Sequence, residues 1–145
     1  MPKPLFTIGY EGKTVDELLG ALQEAQVELL IDVRAVAASR RPGFSKTALA
    51  GALKERGIDY LHLRPLGTPN AGREAARKGR IAEMRAIFEE QLDLPEAEAA
   101  LARALDEAGE RRSALLCFEA GAGGCHRSIV AERMMERLEL ERVDL

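Results

Sequence analysis

Four short apolar runs, each too brief for a helix and each followed by a stretch of different periodicity, constrain this chain more than any other feature. Leu5-Phe6-Thr7-Ile8 stops at Gly9, Leu29-Leu30-Ile31-Asp32-Val33 stops in a charged loop, and Ile58–Leu63 and Ser113–Phe118 supply the third and fourth runs. Runs of four to six β-prone residues read as strands buried on both faces. The intervening segments read as helices. Thr14 and Glu17 form a capping box ahead of Val15, Leu18, Leu19 and Leu22 on one face. Ser45 caps a helix whose apolar face is Leu49, Ala52 and Leu53, with Gly57 as its left-handed stop. Ile81, Met84, Phe88 and Leu92 mark a further helix, Pro95 opens the next, and Gly109 ends it. The last helix starts near Cys125 or His126 and carries Val130, Met134 and Leu138. Residues 64–79 show no periodicity and read as the least ordered stretch.

The resulting order, βαβαβααβα, predicts an α/β fold: a single three-layer domain, its mostly parallel sheet of about four or more strands covered by helices on both faces. No linker, internal repeat or low-complexity tract interrupts it, so residues 1–145 are expected to form one domain. A chain of this length buries a sizeable core without metal or disulfide staples. Two cysteines are too few for a disulfide framework, and no apolar run reaches the ~18 residues of a membrane span. The expectation is a cytoplasmic protein with reduced thiols and no membrane partner. Aromatic residues make up 4% of the chain and Trp is absent, which argues against an extended base-stacking platform.

Charge is distributed unevenly. The formal net charge is −3, yet residues 34–85 hold twelve basic side chains against four acidic ones. A positive field confined to one segment of an acidic protein points to an anionic partner, a small molecule or nucleic acid, unless it is only a solvated surface.

In open parallel sheets ligands bind beyond the carboxyl ends of the strands. There this sequence places Tyr10 after the first strand, Asp32 and Arg34 after the second with Arg40 close behind, and Glu119 after the fourth. Gly121, Gly123 and Gly124 then lead into Cys125-His126-Arg127-Ser128 at the start of the last helix. A glycine-rich turn feeding a helix N-terminus presents unpaired N–H groups and the positive end of the dipole, and Arg127 would add a fork suited to phosphate. The same field would lower the Cys125 pKa. The competing reading is that Cys125 and His126 cap the helix while Arg127 pairs with Glu119 or Asp32. Asp32 beside Arg34 is a general base, a ribose-binding carboxylate or half of a structural ion pair. Cys117 and His62 read as packing residues. The nine residues between Cys117 and Arg127 exclude a tyrosine-phosphatase phosphate loop, which has five. Cys117, Cys125, His126 and His62 lack zinc-ligand spacing. With neither a dinucleotide glycine fingerprint nor a Walker lysine, no cofactor and no metal is assigned.

Five ordered segments resemble one family. Thr7-Ile8-Gly9-Tyr10-Glu11-Gly12, Asp32-Val33-Arg34, Ser39-Arg40-Arg41-Pro42-Gly43-Phe44-Ser45-Lys46, Tyr60-Leu61-His62-Leu63 with Leu66-Gly67, and Cys117-Phe118-Glu119 with Cys125-His126-Arg127-Ser128 are similar in order and spacing to the domain of unknown function 488 family. The resemblance covers nearly the whole chain and implies a compact prokaryotic α/β domain, without supplying a reaction. It marks Asp32, Arg34, Arg40, Cys117, Glu119, Cys125, His126 and Arg127 as the recurrent polar positions. The chain departs from the family in Gly121-Ala122-Gly123-Gly124, where a polar turn with Pro or Asp is common.

Three functions emerge as expectations. The first is a small enzyme, a hydrolase or transferase on a phosphorylated, nucleotide-like or nucleic-acid substrate. Its catalytic candidates are Asp32, Glu119, Cys125 and His126, and its substrate-binding candidates are Tyr10, Arg34, Arg40, Arg127 and Ser128. The second is a non-catalytic nucleotide or nucleic-acid binding module. The third is a buried ion-pair network that only closes the sheet edge.

Overall fold

The structure is a computed structural model describing residues 2–39, 41–118 and 126–145. Arg40, Glu119 and Cys125 therefore lie outside the described residues. The described chain runs β1 (Lys3–Gly9), α1 (Val15–Glu24), β2 (Leu29–Asp32), α2 (Lys46–Glu55), β3 (Asp59–His62), a 3-10 turn (Arg64–Leu66), α3 (Asn70–Arg77), α4 (Ile81–Leu92), α5 (Pro95–Glu110), β4 (Ser113–Cys117), α6 (His126–Met135) and β5 (Leu140–Asp144). All strand pairs are parallel, in the order β3-β2-β4-β1-β5.

Strand alternation divides the core in two. Phe6, Ile8, Leu30, Ala114 and Leu116 face α1 and α2, where Leu18, Leu22, Leu49 and Leu53 cover them. Leu5, Leu29, Ile31 and Leu115 face the other way, onto Met84 and Phe88 of α4, Leu101 of α5, and Ile129 and Val130 of α6. Both faces of the sheet are dry, which is why its central strands read as continuous apolar runs rather than as alternating ones.

Local signals account for the start of α1 and the end of α2. Thr14 accepts from the Glu17 N–H at 3.1 Å while Glu17 accepts from the Thr14 N–H at 2.9 Å, the reciprocal capping box read from sequence. Gly57 takes φ 75° after α2. Ser45 stands at the N-cap of α2 but does not cap it, and instead accepts from the Ser39 N–H at 2.9 Å.

Two elements of the fold also depart from the sequence reading. Residues 64–79 hold a 3-10 turn and α3. The buried residues of α3 are Gly72 and Ala75, too small to leave an apolar stripe. The last residues form β5, an edge strand paired to β1. Its sequence, Leu-Glu-Arg-Val-Asp, is polar because one side of the strand has no neighbour in the sheet.

One close approach sets the height of α3 above the sheet. A Cβ on Gly67 would fall 2.2 Å from the Ala35 nitrogen and 2.4 Å from its Cα. The end of the 3-10 turn thus lies backbone to backbone on the segment leaving β2. Gly67→Ala is expected to force these segments apart and lower stability by about 1–3 kcal/mol. Gly20→Ala, inside α1 with no atom within 4 Å of the added Cβ, should raise it by about 0.5–1 kcal/mol. Urea denaturation of the two variants checks both signs.

Candidate functional site: a cation-lined cleft at the carboxyl edge of the sheet

The chains leaving β1 and β2 cross one face of the sheet through α1 and α2, whereas the chain leaving β4, which lies between those strands, crosses the other through α6. Oppositely directed connections open a crevice at the strand ends. The ladder continues a little beyond the strands there. The Tyr10 N–H donates to the Cys117 carbonyl at 3.3 Å, that of Glu11 to Phe118 at 2.7 Å, and that of Val33 to Leu116 at 3.2 Å.

Asp32 is fully buried at the end of β2, and Arg34 is 5% exposed. The Arg34 Nε donates to the two carboxylate oxygens at 2.9 and 3.0 Å, Nη2 donates at 2.7 Å, and the Arg34 backbone N–H adds a bond of 3.0 Å. The Tyr60 hydroxyl donates to the same carboxylate at 2.5 Å. Burial works against the Arg34 charge, but hydrogen bonds to Asp32 and attraction to it prevail and hold its pKa above the ordinary value. Burial and the neighbouring carboxylate both push the Tyr60 phenol up.

The remaining Arg34 nitrogen, Nη1, donates to the Phe44 carbonyl at 2.7 Å and to the Tyr10 hydroxyl at 3.3 Å. Tyr10 stacks on Phe44 with centroids 4.5 Å apart. Arg41 lies over the Phe44 ring at 4.7 Å and donates to the carbonyls of Tyr10 and Lys13. Both histidines of the chain hold the segment leaving β2. His62 Nε2 bonds the Arg34 carbonyl at 2.8 Å, and His126 Nε2 bonds the Val33 carbonyl at 2.7 Å. These carbonyls have left the ladder and need donors.

Above this floor lies a cleft of about 420 Å³. Its polar lining is Tyr10, Arg34, Thr68, Arg73, Arg77 and His126, and Val36, Met84 and Phe118 are among its apolar walls. No carboxylate lines it among the described residues. An adjoining cleft of about 440 Å³ shares Ala35, Val36, Thr68 and Arg73, and adds Arg64, Asn70, Gln91 and Glu96. Arg73 belongs to both clefts, and its buried Nε has no hydrogen-bond partner among the described residues. No ion pair there joins Arg73 or Arg64 to an acidic side chain, whereas Arg77 stands 4.0 Å from Glu74.

Of the candidates read from sequence, Tyr10, Arg34 and His126 meet in the cleft. Asp32 stands behind Arg34 and takes no part in the lining, in keeping with its reading as half of a structural ion pair. Arg127 is fully buried, its Nη1 donating to the Cys117 sulfur at 2.8 Å. Ser128 is 6% exposed and accepts from Arg142 Nη2 at 2.8 Å. Neither lines the cleft. Burial raises the Asp144 pKa, but hydrogen bonds from Arg142 and Thr7 and the charges of Arg142 and Arg127 outweigh it and hold the carboxyl below its ordinary value. Cys117 is disulfide-bonded, which corrects the expectation of a reduced thiol in the core. No group of His, Cys, Asp and Glu suited to a metal occurs among the described residues, and no helix there is long and apolar enough to cross a membrane.

Sequence reasoning missed Arg73, Arg77, Thr68, Met84 and Phe118 as lining residues. Arg73 and Arg77 stand at i and i+4 and so share one face of α3. That signal becomes legible only once residues 70–77 are read as a helix.

The fold and site define a parallel α/β domain with a cation-lined cleft at its topological switch point. The family described as Domain of unknown function DUF488 matches residues 14–134, and the chain belongs to it. Comparison with curated proteins and with solved structures gave no match.

Two outcomes check the geometry. Because the folded pKa of Tyr60 is raised, the stability it contributes is complete below about pH 10 and is lost as pH rises from there toward the folded pKa. Tyr60→Phe should flatten that alkaline decline in chemical denaturation while lowering stability at neutral pH through the lost bond to Asp32. Arg127→Ala removes a buried cation and should cost roughly 3–5 kcal/mol, read as a large fall in melting temperature.

Proposed function

We propose that this protein binds a phosphorylated, nucleotide-like ligand in the cleft above the strand ends and acts on it as a small hydrolase or transferase. The observation that carries the reading is Arg73, a half-buried guanidinium with no ion-pair partner among the described residues, in a cleft whose described lining holds no carboxylate. A half-buried guanidinium without a counter-charge favours an anion at its cleft-facing nitrogens. Arg77 adds charge nearby, and Phe118, 44% exposed, offers a ring face beside Val36 and Met84 for the apolar part of the ligand. Within the described lining His126 is the one imidazole, the side-chain type suited to proton transfer, which makes it the candidate for that role.

The second reading, a binding module without turnover, draws on the enclosure of Asp32 by Arg34 and Tyr60, which leaves that carboxylate no access to a ligand. The two readings differ in turnover alone.

Titration calorimetry with the four nucleoside 5′-monophosphates and the corresponding nucleosides tests the site. At least one monophosphate should bind, its nucleoside should bind far more weakly, and Arg73→Ala should weaken the monophosphate by about ten- to a hundredfold, the value of a charged hydrogen bond. Equal binding of nucleoside and monophosphate would overturn the reading. Release of phosphate or base from the bound monophosphate, lost in His126→Gln with binding kept, would establish the enzyme over the module.

A further inference from the structure

Resting on the reading of the first cleft as a nucleotide site, we infer that the ligand is a two-nucleotide unit whose bridging phosphodiester sits at Arg73, with one nucleoside in each cleft. The two clefts are nearly equal, about 420 and 440 Å³, and each suits one small-molecule moiety. They are not separate sites. Ala35, Val36, Thr68 and Arg73 line both, so the two clefts adjoin along the segment leaving β2 and the start of α3.

The charges obey the same plan. Among the described residues Arg73 is the one cation common to both clefts; it stands at the junction, and Arg77 and Arg64 flank it on either side. A phosphodiester carries one negative charge between two largely neutral groups, which matches a central guanidinium with weaker positive flanks. A mononucleotide uses the first cleft and leaves the second open.

The two lobes differ in how they would hold a base. The first has the Phe118 ring. The second has no aromatic side chain among the described residues and is walled by Pro65 and Pro69; Asn70, the Glu96 carboxylate and Gln91, whose Nε2 donates to the Pro65 carbonyl at 3.3 Å, complete its polar lining. Amides pair with base edges, whereas a ring stacks on any base. One stacking surface and one hydrogen-bonding surface fit two nucleotides, in keeping with the chain's few aromatic residues.

Joining the second nucleoside through the phosphodiester makes its binding intramolecular, so the gain over a mononucleotide is large wherever both lobes engage. The experiment titrates the protein with the nucleoside 5′-monophosphates and with dinucleoside monophosphates of matching composition, in parallel with the Arg64→Ala/Asn70→Ala double variant. Both of these residues are exposed and lie only in the second cleft, so the variant should fold as the parent does. The expected result is a dinucleoside monophosphate bound at least about tenfold more tightly than the best monophosphate, with that gain lost and monophosphate affinity kept in the double variant. Dinucleotide affinity equal to mononucleotide affinity would overturn the two-lobed ligand while leaving the first-cleft reading intact. A gain that survives the double variant would overturn the placement of the second nucleoside. Absence of Arg73-dependent monophosphate binding would overturn the first-cleft reading, and this inference with it.

Discussion

The buried pair of Asp32 and Arg34 is the interaction on which the carboxyl edge of the sheet depends. Both groups lose nearly all hydration, a cost that attraction alone repays poorly in a protein interior. What makes the pair tenable is complete hydrogen bonding. The carboxylate accepts from the Arg34 backbone, Nε and Nη2 and from Tyr60, and the leftover guanidinium nitrogen reaches Phe44 and Tyr10. A network satisfied on every side has one low-energy arrangement. It joins β2, β3, the loop after β1 and the start of α2, and it fixes the floor of the cleft before any ligand arrives.

The basic middle segment divides according to what its cations meet. Arg34 is matched by Asp32, Arg41 by two backbone carbonyls, Arg56 by Asp16 and Gln23, and Arg85 by Glu89 and Glu132. The exposed pairs among these contribute little to stability, yet each neutralises a charge that would otherwise add to the surface field. Arg73 and Arg64 have no such partner among the described residues, and both line the clefts. Among the described residues, the cations that line the clefts without such a partner therefore belong to the 64–77 segment.

That segment also separates the legible parts of the chain from the illegible ones. The strands and the long helices were legible because large side chains such as Leu18, Leu22, Phe88 and Leu101 must be buried and so recur at the period of their element. Helix α3 was not, because it packs through Gly72 and Ala75, whose burial leaves no trace in an apolar pattern. β5 escaped for a related reason: an edge strand has only a partial claim on apolar residues. Tyr10 and Arg34 stand just past the carboxyl ends of their strands and His126 at the start of the helix after β4, where the strand-end rule looks. That rule cannot reach Arg73, which enters from a roof helix. Arg127 misled because sequence position at a helix start says nothing of which way the side chain turns, and here it turns toward Cys117 and the β5 side of the sheet.

The position of the cleft is set by strand order together with one glycine. β4 lies between two strands whose connections run over the opposite face, so no helix can close the sheet edge where β1, β4 and β2 end. The gap must be roofed from elsewhere. The chain leaving β3 does this by returning through the 3-10 turn and α3, and the turn can settle on Ala35 only because Gly67 has no side chain. A bulkier residue there would lift α3, and with it Arg73 and Arg77, away from Arg34 and His126. Floor and roof thus arise from separate stretches of sequence, 32–34 and 64–77, and the contact between Gly67 and Ala35 is what brings their cations within reach of one ligand.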